Sequence, residues 1–523
     1  MATIGRRSLL KLAAPAAAAA ALAKGTRQPN VLFIMADQQR FDTIAALGNS
    51  DIYTPNLDRL VNRGVTFTNA YSSCPVCVPA RYTIRTGCEP PRTRIFQNGP
   101  PHLLAGQPPS MTTRCGPYLA QTMKALGYRT FGIGKFHTQP WDEDLGYDVH
   151  LRSEELYATP QQRRGDAYAH WIATRHPEFD FIETLMGERT EMYYMPQMSP
   201  MPPHVTVEGW AATQAVEQVR MSDPRPYFGF VSFIGPHPPI APPIPFNRLY
   251  DPDRMRNPVR GNRMTDHMDE QIPFMNHAIF AEDINDSHAR VVRARYYGEI
   301  TYIDNCIGQI LDAVDKRADA ENTLICFYSD HGDHLGDHAA WQKESFFDVS
   351  CHVPLLASWP ARLAAGTKCD GLTALTDLFG IATKAAGKAE FRQGVDALGV
   401  VDGSAQPREH LFGYYGEPGT RRFKIMVRSG AWKYIYMANG GREQLFNLHD
   451  DPHELTNSIE SDVASRMRAA ATKECERPEL QEALERGELR RFEFGARPLT
   501  RIYQFDRSRG ITGFPKRPQD GLS

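Results

Sequence analysis

Charge of one sign is what this sequence most lacks: 59 Lys and Arg stand against 61 Asp and Glu in 523 residues, a formal net charge of −2. No block of like charges disturbs that balance, so nucleic acid and anionic membrane surfaces are not indicated as partners. Beyond the N-terminus no apolar run approaches the length that crosses a bilayer. No internal repeat occurs, and no low-complexity tract outside one Ala-rich stretch. Cysteine is sparse, nine residues in all. Cys74 and Cys77 form a C-x-x-C, yet no second pair stands at zinc-ligand spacing, which argues against a zinc module. What remains is a soluble globular composition, 41% hydrophobic and 23% charged. The length suits one large domain plus a smaller one, or two to three of ordinary size.

The N-terminus reads as an address rather than as part of the fold. Arg6-Arg7-Ser8-Leu9-Leu10-Lys11 leads into the Ala-rich run, which ends at Ala21-Leu22-Ala23. This resembles a twin-arginine export signal with an Ala-x-Ala cleavage site. A membrane anchor is the alternative; the run is too short and alanine-rich for it, and Pro15 interrupts it. The expectation is a periplasmic or secreted protein exported by the twin-arginine machinery, with residues 1–28 as signal and linker. Such substrates cross the membrane folded, so cysteine modification and metal loading can be completed beforehand.

Four apolar runs of strand length stop abruptly at polar residues. Val31–Ala36 ends at Asp37-Gln38, and Thr323–Tyr328 ends at Ser329-Asp330-His331-Gly332. Arg129–Gly134 gives way to Lys135-Phe136-His137, and Tyr227–Ile234 to Gly235-Pro236-His237. Runs that are apolar on consecutive residues predict strands buried on both faces of a parallel sheet. In such sheets ligands bind beyond the carboxyl ends of the strands, so these polar residues can converge on one site. Ile300, Ile303, Ile307, Ile310 and Val314 recur at helical spacing just before the Thr323 strand, and Tyr118–Leu126 has the same character. Helix alternating with strand predicts an α/β sandwich.

One further stretch is denser in information than any of these. Cys77-Val78-Pro79-Ala80-Arg81-Tyr82-Thr83-Ile84-Arg85-Thr86-Gly87 places Pro two, Arg four and Thr-Gly nine and ten residues after a cysteine. It resembles the C-x-P-x-R-x4-T-G motif of the sulfatase family, with every fixed position filled. The resemblance runs from Asn30 to about Asn457 and includes Thr54-Pro55-Asn56-Leu57-Asp58-Arg59-Leu60, Ser329-Asp330-His331-Gly332, Leu335-Gly336, Trp341, Lys343 and Val353-Pro354-Leu355. Read without the family, Cys77 is a thiol nucleophile or a packed or disulfide-bonded cysteine beside a proline turn.

The resemblance implies an alkaline-phosphatase-like fold: a large α/β/α sandwich over residues 29–400 and a smaller C-terminal antiparallel-sheet domain over 401–523. Trp432–Tyr436 and Gln444–Pro452 are expected to supply strands and a turn of the latter. It also implies a maturation enzyme that oxidises Cys77 to formylglycine (3-oxoalanine), whose hydrate is the nucleophile. Carried over by position, Asp37, Gln38, Asp330 and His331, with the modified Cys77, would hold one divalent cation. Many family members have aspartate where this chain has Gln38, and often asparagine where it has His331. The family habit puts calcium first, with manganese or magnesium as alternatives, manganese because it accepts mixed donors. Arg81 would orient the hydrate and Lys135 bridge it to the sulfate. His237 and Lys343 would protonate the departing alcohol, and His137 would take the proton that lets sulfate leave.

Each of these residues has a structural alternative: Lys135 and Lys343 as solvated lysines, His237 as a histidine fixed between prolines. Asp333, His334, His338, Asp348 and His352 are expected to be loop or supporting groups. Met186 to Val205 reads as a pocket wall or as cover for a sheet edge. The Arg- and aromatic-rich tail beyond Glu488, with Arg490, Arg491, Phe492, Phe494, Tyr503 and Phe505, is expected to wrap a neighbouring domain or subunit, which leaves a homo-oligomer open. The function expected is hydrolysis of a small-molecule or carbohydrate sulfate ester. Its alternatives are a phosphonate monoester or phosphodiester hydrolase using the same site, and a non-catalytic binder of sulfated ligands.

Overall fold

The computed structural model describes residues 28–98, 110–154, 159–180, 193–261 and 269–500. The export signal, all of Met186–Met192, and Tyr503 and Phe505 lie outside the described residues.

In chain order the strands are β1 (Asn30–Ala36), β2 (Val65–Phe67), β3 (Ala70–Tyr71), β4 (Arg129–Gly134), β5 (Val149–Arg152), β6 (Tyr227–Ser232), β7 (Thr323–Ser329), β8 (Leu355–Ser358), β9 (Thr367–Cys369), β10 (Thr373–Ala374), β11 (Leu411–Tyr415), β12 (Lys424–Ser429), β13 (Trp432–Met437) and β14 (Arg442–Asn447), followed by a two-residue pair, Leu484–Glu485 and Glu488–Leu489. Eight of them form the large sheet, in the order β5-β4-β6-β1-β7-β8-β2-β9. From β5 to β7 all neighbours are parallel. β8 runs antiparallel to both β7 and β2, a reversal at one side of the sheet that apolar runs alone do not announce.

β1 is fully buried, and its side chains alternate between two cores. Val31, Phe33 and Met35 meet Leu119, Met123, Leu378 and Phe379 on one face; Leu32, Ile34 and Ala36 meet Trp210, Ile303, Ile307 and Ile310 on the other. Helices on both faces exclude water from both, which is why the strand has no polar side. The isoleucine stripe belongs to a long helix, Asp286–Asp315, whose N-cap Asn285 side chain accepts from His288 N–H.

Register brings four strand ends level. Ala36 lies opposite Ser329, Met35 opposite Ser232, and Ser232 opposite Gly134. The expected extension of β6 through Ile234 is not seen; the strand stops at Ser232, and Phe233 N–H then donates to Met35 C=O at 2.9 Å. At Gly134 (φ 94°) a Cβ would stand 1.9 Å from Ser232 C=O, so only glycine lets β4 turn out toward Lys135.

β11 to β14 form an antiparallel sheet in that order. Met426, Ile435 and Phe446 face Tyr71, Phe346 and Cys351 of the first body. Ile425, Tyr434 and Leu445 face Met467 and Ala471 of the Val463–Glu474 helix. Between the bodies, fully buried Lys433 reaches Asp348 Oδ1 at 2.6 Å and also pairs with Glu454. Lys433→Met strands two buried carboxylates and is expected to cost about 3 kcal/mol, read from urea unfolding; a change near zero would mean the pair is not coupled to folding. All nine cysteines are buried and free of disulfides.

Candidate active site

The nucleophile motif becomes a helix, Cys77–Thr86, ending at Gly87 in the left-handed region (φ 64°). Pro79 sits in the first turn, where a missing N–H costs nothing. Cys77 opens the helix at its positive end, and Arg81 stands one turn further along the same face. That is the physical content of the four-residue spacing: one helix presents thiol and guanidinium to one place.

Both are buried, and what surrounds them comes from the four strand ends. Asp37 divides its carboxylate: Oδ2 accepts from Arg81 Nη2 and Lys135 Nζ, both at 2.7 Å, while Oδ1 faces Cys77 Sγ at 3.8 Å and His331 Nε2 at 3.7 Å. Asp330 divides likewise, Oδ2 accepting from Arg81 Nε at 3.1 Å and Oδ1 lying 3.6 Å from His331 Nε2. Cys77 Sγ is 3.2 Å from His331 Nε2 and 3.1 Å from Lys343 Nζ. Lys343 Nζ also donates to Gln38 Oε1 at 2.7 Å.

Burial alone would push the Cys77 thiol up, but Lys343, Lys135 and His331 outweigh it and hold it well below the ordinary thiol range, with a smaller contribution from a His137 hydrogen bond. Asp37 is held far below the usual carboxylate range: burial and Cys77 oppose this, and Lys135 and Arg81 prevail. Asp330 is pushed up by burial and by Asp37, against His331 and Arg81.

Ligand atoms of Asp37, Cys77, Asp330 and His331 all lie within 4.8 Å of one another. His331 Nδ1 is 3.1 Å from Gly332 C=O; with the ring proton donated there, the Nε2 lone pair faces the centre, the tautomer a cation requires. Each aspartate gives one oxygen to cationic side chains and keeps one for the centre. The donor set fits a divalent cation that accepts oxygen and one imidazole nitrogen.

The structure thus brings Asp37, Gln38, Cys77, Arg81, Lys135, Asp330, His331 and Lys343 into one contact network, drawn from residues up to 306 positions apart by number (Asp37 to Lys343). His137 and His237 stand at its border. His237 is 5% exposed; its Nδ1 lies 2.6 Å from Pro238 C=O, and its ring meets Tyr193 edge-on at 5.6 Å. The hydrogen bonds of Arg81 go to Asp37, Asp330, Lys135 C=O and Ser232 Oγ, so in the unconverted site it clamps the two carboxylates.

Sequence reasoning missed two supports, Glu154 and Tyr194, and expected Asp333 only as a loop or supporting group, with no partner assigned. Glu154, two residues beyond β5, accepts from Phe136 N–H at 3.1 Å and His137 N–H at 2.9 Å, shaping the turn that carries Lys135 and His137 (φ 51°). It was signalled only by being polar at a strand end. Asp333 and Tyr194 meet Gln38, and no local spacing announces that contact.

A family model described as Sulfatase matches residues 29–388. The chain belongs to the sulfatase family. A second model, described as N-sulphoglucosamine sulphohydrolase, C-terminal, matches residues 336–481. Among curated relatives, an arylsulfatase of Clostridium perfringens is 28% identical over 453 residues, covering 83% of this chain and 91% of the relative. A choline-sulfatase of Rhizobium meliloti is 30% identical over 456 residues, 83% of each. Among solved structures, the phosphonate monoester hydrolase of Agrobacterium radiobacter superposes with a TM-score of 0.70 at 25% identity, covering 87% of this chain and 96% of that one. This sulfatase is therefore an enzyme of the sulfuric ester hydrolase class, and a purely ligand-binding protein is no longer an alternative. Its fold is the alkaline-phosphatase-like one expected, a large α/β/α sheet domain with a small C-terminal antiparallel sheet.

Proposed function

We propose that this sulfatase cleaves a sulfate ester of a small molecule or carbohydrate to an alcohol and inorganic sulfate, using formylglycine made from Cys77 and a divalent cation held by Asp37, Gln38, Asp330 and His331. The observation that carries this reading is the position of Cys77 Sγ: buried, at a helix N-terminus, and within 3.2 Å of both Lys343 Nζ and His331 Nε2. Sγ marks where the first oxygen of a hydrated formylglycine would stand.

Converted and loaded, the centre supplies a hydrated-aldehyde nucleophile and a Lewis acid for the sulfuryl oxygens. The chain's own residues do the rest. Arg81 holds both aspartates in place and offsets their charge. Lys135 and Lys343 put positive charge where a sulfate must sit. In the converted enzyme Lys343 and His237 would deliver a proton to the leaving alcohol, and His137 would accept the proton whose loss lets sulfate leave.

Calcium is the cation the family habit favours; the imidazole donor suits Mn²⁺ as well, and elemental analysis of the purified protein decides. The same reading requires a formylglycine-generating maturation enzyme and export through the twin-arginine machinery to the periplasm or beyond. It assigns residues 29–400 to the catalytic domain and 401–523 to the C-terminal subdomain.

A phosphonate monoester or phosphodiester hydrolase is the second reading, favoured by the superposition on the Agrobacterium radiobacter enzyme. Sulfate and phosphate groups share shape and oxygen count, so the first contacts scarcely separate them. Rates on an aryl sulfate, an alkyl sulfate, a phosphonate monoester and a phosphodiester separate the two. Sulfate esters are expected to lead by about tenfold or more in kcat/KM; a phosphodiester preference of orders of magnitude would overturn the choice.

Proton delivery has its own signature. His237→Ala and Lys343→Ala are each expected to slow an alkyl sulfate by about 10²–10⁴-fold and 4-nitrophenyl sulfate far less, because a nitrophenolate leaves without protonation. Equal losses on both esters would rule out the acid role.

A further inference from the structure

Gln38 is held at nearly every atom. Its N–H donates to Asp330 Oδ1 at 3.1 Å, its C=O accepts from Tyr296 OH at 2.6 Å, and its backbone sits in the left-handed region (φ 65°). Only one freedom is left, which end of the carboxamide faces the centre. A carboxylate, common at this position in the family, would present oxygen either way. An amide presents oxygen or NH₂, and a cation tolerates only oxygen.

The structure settles that choice through a residue outside the expected site. Gln38 Nε2 donates to Asp333 Oδ2 at 2.5 Å, and Oε1 accepts from Lys343 Nζ at 2.7 Å. An inverted amide would set oxygen against the Asp333 carboxylate and NH₂ against the Lys343 ammonium, two repulsive contacts. Asp333 itself cannot turn away. Its Oδ1 accepts from Leu335 N–H at 2.8 Å, and its Oδ2 accepts also from Tyr194 OH at 2.5 Å. Tyr194 OH accepts in turn from Gln342 N–H at 2.9 Å, and its ring lies 4.7 Å from that of Trp341. Asp333, Gln38 and Tyr194 are all buried, so water offers no substitute partner.

We propose that Asp333 is a positioning residue that sets the polarity of the Gln38 carboxamide, turning Oε1 toward the cation position and the Lys343 ammonium. This rests on the reading that Gln38 faces a divalent cation. It goes further by assigning an added carboxylate, not itself a ligand, the task of making an amide serve where a carboxylate is usual.

The test titrates chelator-stripped protein with Mn²⁺ and with Ca²⁺ in a calorimeter, and records the melting temperature of each metal-free variant. Asp333→Asn keeps the shape: its Oδ1 stays with Leu335 N–H, its Nδ2 faces Gln38, and the Gln38 amide inverts. Cation affinity is expected to fall about tenfold or more. In a Gln38→Ala background no amide remains to orient, so Asp333→Asn is expected to change affinity less than about threefold. Equal losses in the two backgrounds, the result of removing a charge and nothing else, overturn the proposal; so does no loss in the first.

Tyr194→Phe strips one donor from Asp333 and the longer of two acceptors from Gln38 Nε2 (3.4 Å), but leaves the Asp333 acceptor at 2.5 Å, and is expected to keep affinity within about threefold. A loss as large as that of Gln38→Ala there overturns the assignment even if Asp333→Asn does not fold. Wild-type protein that takes up neither cation sinks the metal reading, and this inference with it; wild-type uptake with indifference to Asp333→Asn sinks the inference alone.

Discussion

Cys77→Ala is expected to lower kcat by about 10⁴-fold or more with little change in melting temperature. Cys77 Sγ is the one reactive atom that Asp37, His331 and Lys343 all face, and alanine leaves that focus empty. Cys77→Ser sharpens the test. A serine hydroxyl can attack sulfur once, but it has no second hydroxyl on the same carbon from which a proton can be taken to expel sulfate. It is expected to release about one equivalent of alcohol and then stop, a burst visible by stopped flow. Sustained turnover by the serine variant, or Cys77→Ala within tenfold of wild type, would remove Cys77 from the reaction. Mass spectrometry of the peptide carrying Cys77 completes the argument. An unmodified thiol, in protein made by a host with the maturation machinery, contradicts formylglycine directly.

Arg81→Leu is expected to cost about 3–5 kcal/mol of stability near neutral pH. Arg81 is 1% exposed and pairs with Asp37 and Asp330, both fully buried. Leucine fills part of the volume and leaves two carboxylates facing each other with less counter-charge. The pH dependence has a definite sign. Asp37 is lowered from a reference of 3.8 in the folded protein, so it contributes stability above that value and loses it as pH falls through its folded value. Without Arg81, Lys135 still holds Asp37 down, but Asp330, already raised by burial and by Asp37, loses one of the charges that oppose the rise, and the variant regains stability by protonating it as the solution turns acidic. The gap between wild type and variant therefore narrows as pH falls from 7 through the carboxylate range, and urea unfolding at two pH values reads it. A bound cation supplies the missing charge, so saturating Mn²⁺ or Ca²⁺ is expected to shrink the gap further. A penalty indifferent to pH and cation would mean that packing, not charge, is what Arg81 contributes.

How much of this was legible beforehand depends on the distance over which each contact acts. Val31–Ala36 and Thr323–Tyr328 declared themselves because burial on both faces forbids polar residues along the strand, and that constraint is written in consecutive positions. Cys77 and Arg81 declared themselves through the resemblance to the C-x-P-x-R-x4-T-G motif; that the motif forms a helix, which puts both on one face, came from the structure. The helix Leu119–Ala125 and the isoleucine stripe were visible for similar local reasons, whereas β13 was expected only through the family resemblance. β8 and β2 were not, since a short apolar segment carries no sign of the direction in which it pairs. The contact of Asp333 and Tyr194 with Gln38 was not legible because the partners lie far along the chain, Gln38 and Asp333 295 residues apart; Glu154 lies only 18 and 17 residues from Phe136 and His137, and no periodicity announces the turn it supports.

The sequence by itself determined which residue types stand at the ends of buried strands, and that one cysteine stands four residues before an arginine and two before a proline. The strand ends follow from periodicity and from the cost of burying a polar side chain, both local. Only the tertiary structure decided which oxygen of Asp37 faces the thiol, that Arg81 clamps both carboxylates, and that the Gln38 amide points oxygen inward. Such choices are made by pairwise electrostatics over about 3 Å in a buried site, and strand register, not sequence proximity, brings those pairs within reach.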